Sequence, residues 1–122
     1  MITLLPDSSD GVIGFLIDGQ LTDEDYRQGL LPPVEEAIKT QEKIRLLFQM
    51  KNFEGWTAHG AWDDFMNWPK FRSVERMAVL VDENWHEFTS WLFRVYATIT
   101  GIEIRFFKNN QLSEAWDWLR SQ

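Results

Sequence analysis

Two periodicities alternate along this chain, and the switches between them divide it into nine elements. Short apolar runs at Ile2–Leu5, Val12–Asp18, Lys43–Met50, Arg76–Asp82 and Glu103–Lys108 read as five strands. The runs Ile44-Arg45-Leu46-Leu47-Phe48 and Met77-Ala78-Val79-Leu80-Val81 are nearly continuous, as expected of central strands covered on both faces. Ile102-Glu103-Ile104-Arg105-Phe106 alternates instead, which suits a half-exposed edge strand. The turn-rich stretch from Asp7 to Gly11 joins the first two runs, so these should pair antiparallel.

Between the later strands the period lengthens to that of a helix. Thr22-Asp23-Glu24-Asp25 places a capping hydroxyl three residues before a carboxylate, and Tyr26, Leu30, Val34, Ala37 and Ile38 follow near helical spacing. Pro32-Pro33 must kink or divide that helix, with one proline serving as a first helical residue. Thr57 caps a second helix whose Ala58, Ala61, Trp62, Phe65 and Met66 form one stripe, and Pro69 stops it. Asn84 and Glu87 open a longer helix striped by Phe88, Trp91, Leu92, Val95, Tyr96 and Ile99. Leu112, Ala115, Trp116 and Leu119 define the last. The order β-β-α-β-α-β-α-β-α predicts an α/β fold: one mixed five-stranded sheet, its first two strands antiparallel and the rest largely parallel, with right-handed crossover helices. No linker or repeat divides the chain, so residues 1–122 read as a single domain.

Composition narrows the function classes without naming one. The chain is 44% hydrophobic and 25% charged, a globular balance, and it lacks cysteine, which removes disulfides, thiolate metal sites and cysteine nucleophiles. The amino terminus has no basic start and no long apolar core, and no run approaches the ~20 apolar residues of a membrane span, so the expectation is a soluble cytoplasmic protein. Charge is placed unevenly. Residues 1–42 hold nine acids against Arg27 and Lys39, while the remainder is balanced, so the whole formal charge of −7 sits in the first third. Without a Lys/Arg cluster, nucleic acid is excluded as a partner, and anionic membranes would repel the acidic third.

Candidate chemistry is sparse. His59 and Asp63 share a helical face but have no third ligand, and Asp63 and Asp64 diverge by roughly 100° on a helix. His86-Glu87 lies in the first turn of its helix, where capping and surface polarity account for it. No phosphate-binding loop, nucleophile elbow or metalloprotease motif is present, so neither an enzyme nor a cofactor is expected. The conspicuous feature is the supply of rings, seven Trp and nine Phe. A small domain buries only so many, which points to rings in a pocket, a lid or an interface.

Several segments resemble the SpoIIAA-like family, also described as STAS/CRAL-TRIO-like. They are Gly19-Gln20-Leu21-Thr22-Asp23-Glu24-Asp25-Tyr26, Leu31-Pro32-Pro33-Val34-Glu35-Glu36-Ala37-Ile38, Lys43-Ile44-Arg45-Leu46-Leu47, Asn52-Phe53-Glu54-Gly55-Trp56-Thr57, Arg76-Met77-Ala78-Val79-Leu80-Val81 and Arg105-Phe106-Phe107 with Glu114-Ala115-Trp116-Asp117-Trp118-Leu119. The resemblance implies a SpoIIAA/STAS-like fold and two roles. STAS regulators bind partner proteins and are often switched at a Ser in an Asp-Ser-Ser-Gly stretch. Here the corresponding stretch is Glu54-Gly55-Trp56-Thr57, where Thr57 is the one hydroxyl and the surrounding motif is absent.

CRAL-TRIO domains enclose a hydrophobic molecule beneath mobile helices. On that model, Trp56, Trp62, Phe65, Met66, Phe88, Trp91, Leu92 and Tyr96 would line a site for a hydrophobic small molecule or lipid between the sheet and the middle helices. An empty apolar pocket of about 300 Å³ would cost on the order of 7 kcal/mol, so helix Thr57–Trp68 would act as a lid hinged at Gly55 and Gly60. The preferred expectation is a non-catalytic binder of such a ligand. The alternative is a protein-interaction module using Thr57, with spare rings in a partner or homodimer interface.

Overall fold

A mixed sheet in the order β1-β2-β3-β4-β5 carries the architecture of this computed structural model, which describes residues 1–56, 73–81 and 101–121, with the side chains of 53–56 outside the description. β1 (Ile2–Leu4) pairs antiparallel with β2 (Val12–Leu21), and β3 (Ile44–Trp56), β4 (Val74–Val81) and β5 (Glu103–Lys108) follow in parallel. The topology is the expected one, with β5 an edge whose residues alternate in exposure. The helices expected over Thr57–Trp68 and from Asn84 through Ile99 lie outside the described residues.

Two strands run further than their apolar patterns. β2 continues to Leu21 and β3 to Trp56, with a register break after the Asp18–Lys51 pair. Gly19 and Asn52 take positive φ at this break (74° and 48°), so polar residues and left-handed backbone mask the extension in the sequence. Gly55, expected as a hinge, is instead paired with Gln20 inside β3.

The first helical region shows how a proline pair is accommodated. A single turn, α1 (Asp23–Asp25), is capped by Thr22 and widens into a π turn (Tyr26–Leu30) before α2 (Leu31–Thr40) begins, with Pro32 and Pro33 as its second and third residues. Proline cannot donate to the carbonyl four residues back, and its ring crowds that carbonyl. The π turn resets the ladder there, with the Leu31 N–H bonding Tyr26 O.

Strand alternation divides the core between two faces. Ile13, Phe15 and Ile17 of β2 share one face with Leu46, Phe48 and Met50 of β3 and with Val34 of α2. Phe15 stacks on its register partner Phe48 with ring centroids 5.8 Å apart. On the opposite face Val12, Leu47, Ala78 and Leu80 meet α3 (Leu112–Arg120) through Ala115, Trp116 and Leu119. Trp116 sits over Gly14. A Cβ there would lie 2.5 Å from Trp116 Cη2 and 2.7 Å from Cζ2, distances that a rigid indole cannot relieve without moving α3.

Gly14→Ala should therefore destabilise the fold by about 1–3 kcal/mol. In a Trp116→Leu background the same change should cost much less, a coupling that a double-mutant cycle by urea denaturation would measure. Additive losses would show that the indole does not set the spacing.

Candidate functional site

At one end of the sheet a tight turn separates two surface hollows. Ser9 and Val12 exchange backbone hydrogen bonds, each 2.9 Å, around Asp10 and Gly11. Both central residues have positive φ, 54° and 81°, the geometry of a type I′ turn. Asp-Gly is the strongest short signal for that turn, and it was the available clue to a tight knuckle within what reads only as a turn-rich stretch. Ser8 braces it from behind, its Oγ accepting from the Gly14 N–H at 2.9 Å.

The hollow on the α3 side, about 330 Å³, is bounded by Ser9, Asp10, Lys43, Arg45, Glu75 and Arg120. Its cations are already engaged in structure. Arg45 Nε meets Glu75 Oε1 at 2.8 Å, and its Nη1 donates to the carbonyl of Leu119 and to that of Ser121 (2.5 Å). Arg76, the register neighbour of Arg45, donates to Trp118 O at 3.0 Å and to Ser121 O at 2.9 Å, with Glu103 at 3.6 Å. Two guanidinium groups side by side repel. They are held because each has its own carboxylate and both face the negative end of α3. Trp118 lies between Arg76 and Arg105, whose guanidinium carbons are 5.4 and 4.9 Å from its ring, and Arg120 stands 4.8 Å from Trp116. The signal for this cluster was an arginine within or just before each central apolar run, Arg45 and Arg76.

The second hollow, about 410 Å³, opens on the α2 side between the turn and the helix, with Leu4, Ile13, Pro33 and Ala37 as its apolar lining and Asp10, Glu36 and Thr40 among its polar groups. Leu4 is 48% exposed, and with Met1 it makes up the large exposed hydrophobics among the described residues. Of the acids in the first third, Asp10 and Glu36 border this hollow. Asp7, Asp10, Asp18, Glu24, Glu36 and Glu42 are exposed. Arg27 meets Asp23 at 3.1 Å and Lys39 meets Glu36 at 3.6 Å, exposed pairs worth little against the surplus of acids.

Asp25 closes the capping box predicted from sequence. The Thr22 N–H donates to its carboxylate (3.2 Å) while its own N–H donates to Thr22 Oγ1 (3.0 Å). Partial burial, the largest single influence, pushes the carboxyl up. Hydrogen bonding to the Thr22 backbone and hydroxyl, with the Met1 ammonium 3.3 Å away, outweighs it and holds Asp25 below its ordinary 3.8. No group of three or more His, Cys, Asp or Glu is placed to hold a metal among the described residues.

Of the expected site residues, Trp56 is the last residue of β3, in register with Leu21. Thr57, Trp62, Phe65, Met66, Phe88, Trp91, Leu92 and Tyr96 lie outside the described residues. The two hollows use none of them. Both were missed because their walls come from segments far apart in sequence.

A five-stranded mixed sheet with one antiparallel edge, and helices packed on both faces, defines a small α/β domain of the STAS class. A SpoIIAA-like family model matches residues 12–120, and the chain belongs to that family. It is also similar to an uncharacterised protein of the DUF3478 family, with a SpoIIAA-like fold, from Shewanella loihica PV-4. The two are 30% identical over 98% of this chain and 92% of that one, with a TM-score of 0.67. No curated protein matches the chain. The family and fold support a regulatory or interaction module, and no helix among the described residues is long and apolar enough to cross a membrane.

Because the folded Asp25 titrates below its unfolded value, its stabilisation is complete above 3.8 and is lost as pH falls through the lower, folded value. Asp25→Asn should therefore lower stability by about 0.5–1 kcal/mol near neutrality. The gap to the parent should narrow as pH falls below 3.8 in thermal melts, and a gap independent of pH would remove the carboxylate from the cap.

Proposed function

We propose that this chain acts as one unit over residues 1–122, without catalysis, by binding another protein. The observation that carries the reading is the one-sided charge. The entire net −7 lies in residues 1–42, and two of its acids, Asp10 and Glu36, border the hollow beside the exposed Leu4. Acids spread over a surface increase solubility anywhere. Where two of them border a partly apolar hollow that no lysine or arginine lines, they favour a cationic partner over any anionic one and raise its rate of encounter. A cytoplasmic location belongs to the same reading, as does a mode of action independent of the STAS phosphoserine motif, since Thr57 stands without it.

A second reading is favoured by the placement of the tryptophans. Trp116 and Trp118 are accounted for by Gly14 and the arginines, and the other five of the seven fall between residues 56 and 91. A hydrophobic small molecule or lipid enclosed by Trp56, Trp62, Phe65, Met66, Phe88, Trp91, Leu92 and Tyr96 would use three of them.

Native mass spectrometry of the full chain isolated from its own cells at low salt separates the two. The protein-binding reading expects a defined complex with a second polypeptide that dissociates as salt rises and fails to form with the Glu24→Lys/Glu36→Lys double variant. A chain that carries only a small mass, released by organic extraction, would replace this reading with the ligand one.

A further inference from the structure

β1 is bonded to β2 along one side, and no described strand pairs with its other side. Leu5 N–H bonds Gly14 O at 2.8 Å and Asp18 N–H bonds Met1 O at 2.9 Å, so Met1, Thr3 and Leu5 direct their backbone groups at β2. By antiparallel alternation the N–H and C=O groups of Ile2 and Leu4 face outward, along an edge of the sheet that no other described strand pairs. The side chains of Ile2 and Leu4 point to the α2 face. Ile2 is used there: it packs against the π turn so closely that a Cβ on Gly29 would lie 2.3 Å from its Cγ2. Leu4 is not. It remains 48% exposed at the mouth of the hollow lined by Ile13, Pro33 and Ala37.

The geometry points to β1 as a docking edge that receives an extended segment of a partner protein, an apolar side chain flanked by lysines or arginines. This deepens the protein-binding reading and rests on it. A strand added beside β1 would pair its backbone with Ile2 and Leu4, and the alternation of its side chains would send one into the hollow beside Leu4. Asp10 and Glu36 border that hollow, and Asp7, Asp18 and Glu24 are exposed elsewhere in the acidic third, so the flanking residues are selected for positive charge. The same charge disfavours the simplest alternative, a second copy of this chain paired edge to edge. Two copies would bring together two segments of −7 each. Pro6 interrupts the edge after β1, which keeps the added strand short and the complex easily reversed.

The probe is a short blocked peptide alternating lysine with valine and leucine, titrated into the full chain and followed by amide NMR and hydrogen exchange. A glutamate-for-lysine analogue serves as control. Expected are shifts at Ile2, Leu4, Ala37 and Thr40, slowed exchange of the Ile2 and Leu4 N–H groups, and no binding of the acidic analogue. Leu4→Asp, a change at a half-exposed side chain, should weaken binding about tenfold or more while leaving the remaining spectrum intact. Shifts confined to the exposed acids, unaffected by Leu4→Asp, would overturn the docking edge while leaving protein binding by charge in place. No shifts at all would overturn it too, and so would dimerisation through β1 in sedimentation. The protein-binding reading fails separately, on the extracted small mass described above.

Discussion

The contact between Trp116 and Gly14 sets the distance on which the rest of the α3 face depends. A glycine in a central position of β2 lets the indole lie on the sheet itself, with the small Ala78 and the branched Leu47 and Leu80 around it. From that seat the helix axis is fixed, and its last carbonyls arrive over the starts of β3 and β4. There Arg45 and Arg76 take them up. A larger residue at position 14 would lift the helix and leave two half-buried guanidinium groups without their carbonyl acceptors. Packing and polar satisfaction at this end are therefore one constraint, since arginines within central strands are tolerable only where a helix end is delivered to them.

The same arrangement leaves the two ends of the Asp10-Gly11 turn with different surroundings. α2 and its neighbours cover one face of the described sheet at Val34, and α3 covers the other. The arginines near the β1–β2 turn are committed to α3 and to Glu75 and Glu103. On the opposite side of the Asp10-Gly11 knuckle no cation is built into the hollow, and the acids of the first third dominate. One turn thus separates two hollows of opposite electrostatic character, the one lined by Lys43, Arg45 and Arg120 and the other by Asp10 and Glu36 without a cation.

Much of this fold was legible because local and global signals agree. Ile44–Phe48 and Met77–Val81 read as buried strands since both of their faces are covered, and Thr22 with Asp25 read as a cap since the capping geometry is local. The extensions of β2 and β3 were not legible. Gly19 and Asn52 adopt left-handed backbone that propensity counts against a strand, and only pairing with a neighbour compensates. The hollows were hidden for a related reason: Leu4, Pro33 and Ala37 look like ordinary members of three separate stripes until topology places them together. The charge asymmetry of residues 1–42 was visible from the start, but which of its acids border a hollow, Asp10 and Glu36, depends on the folded topology.

Whether the indole seated on glycine positions α3 is read from the proton spectrum of Gly14. A hydrogen held against the face or edge of Trp116 is shifted by the ring current, and the ring protons of Trp116 should show strong cross-relaxation with the Gly14 α-protons. A strongly displaced Gly14 Hα resonance with those cross-peaks is the predicted result. A Gly14 Hα at its ordinary position, without cross-peaks to the indole, would contradict the claim. It would mean that α3 is held by its arginines alone.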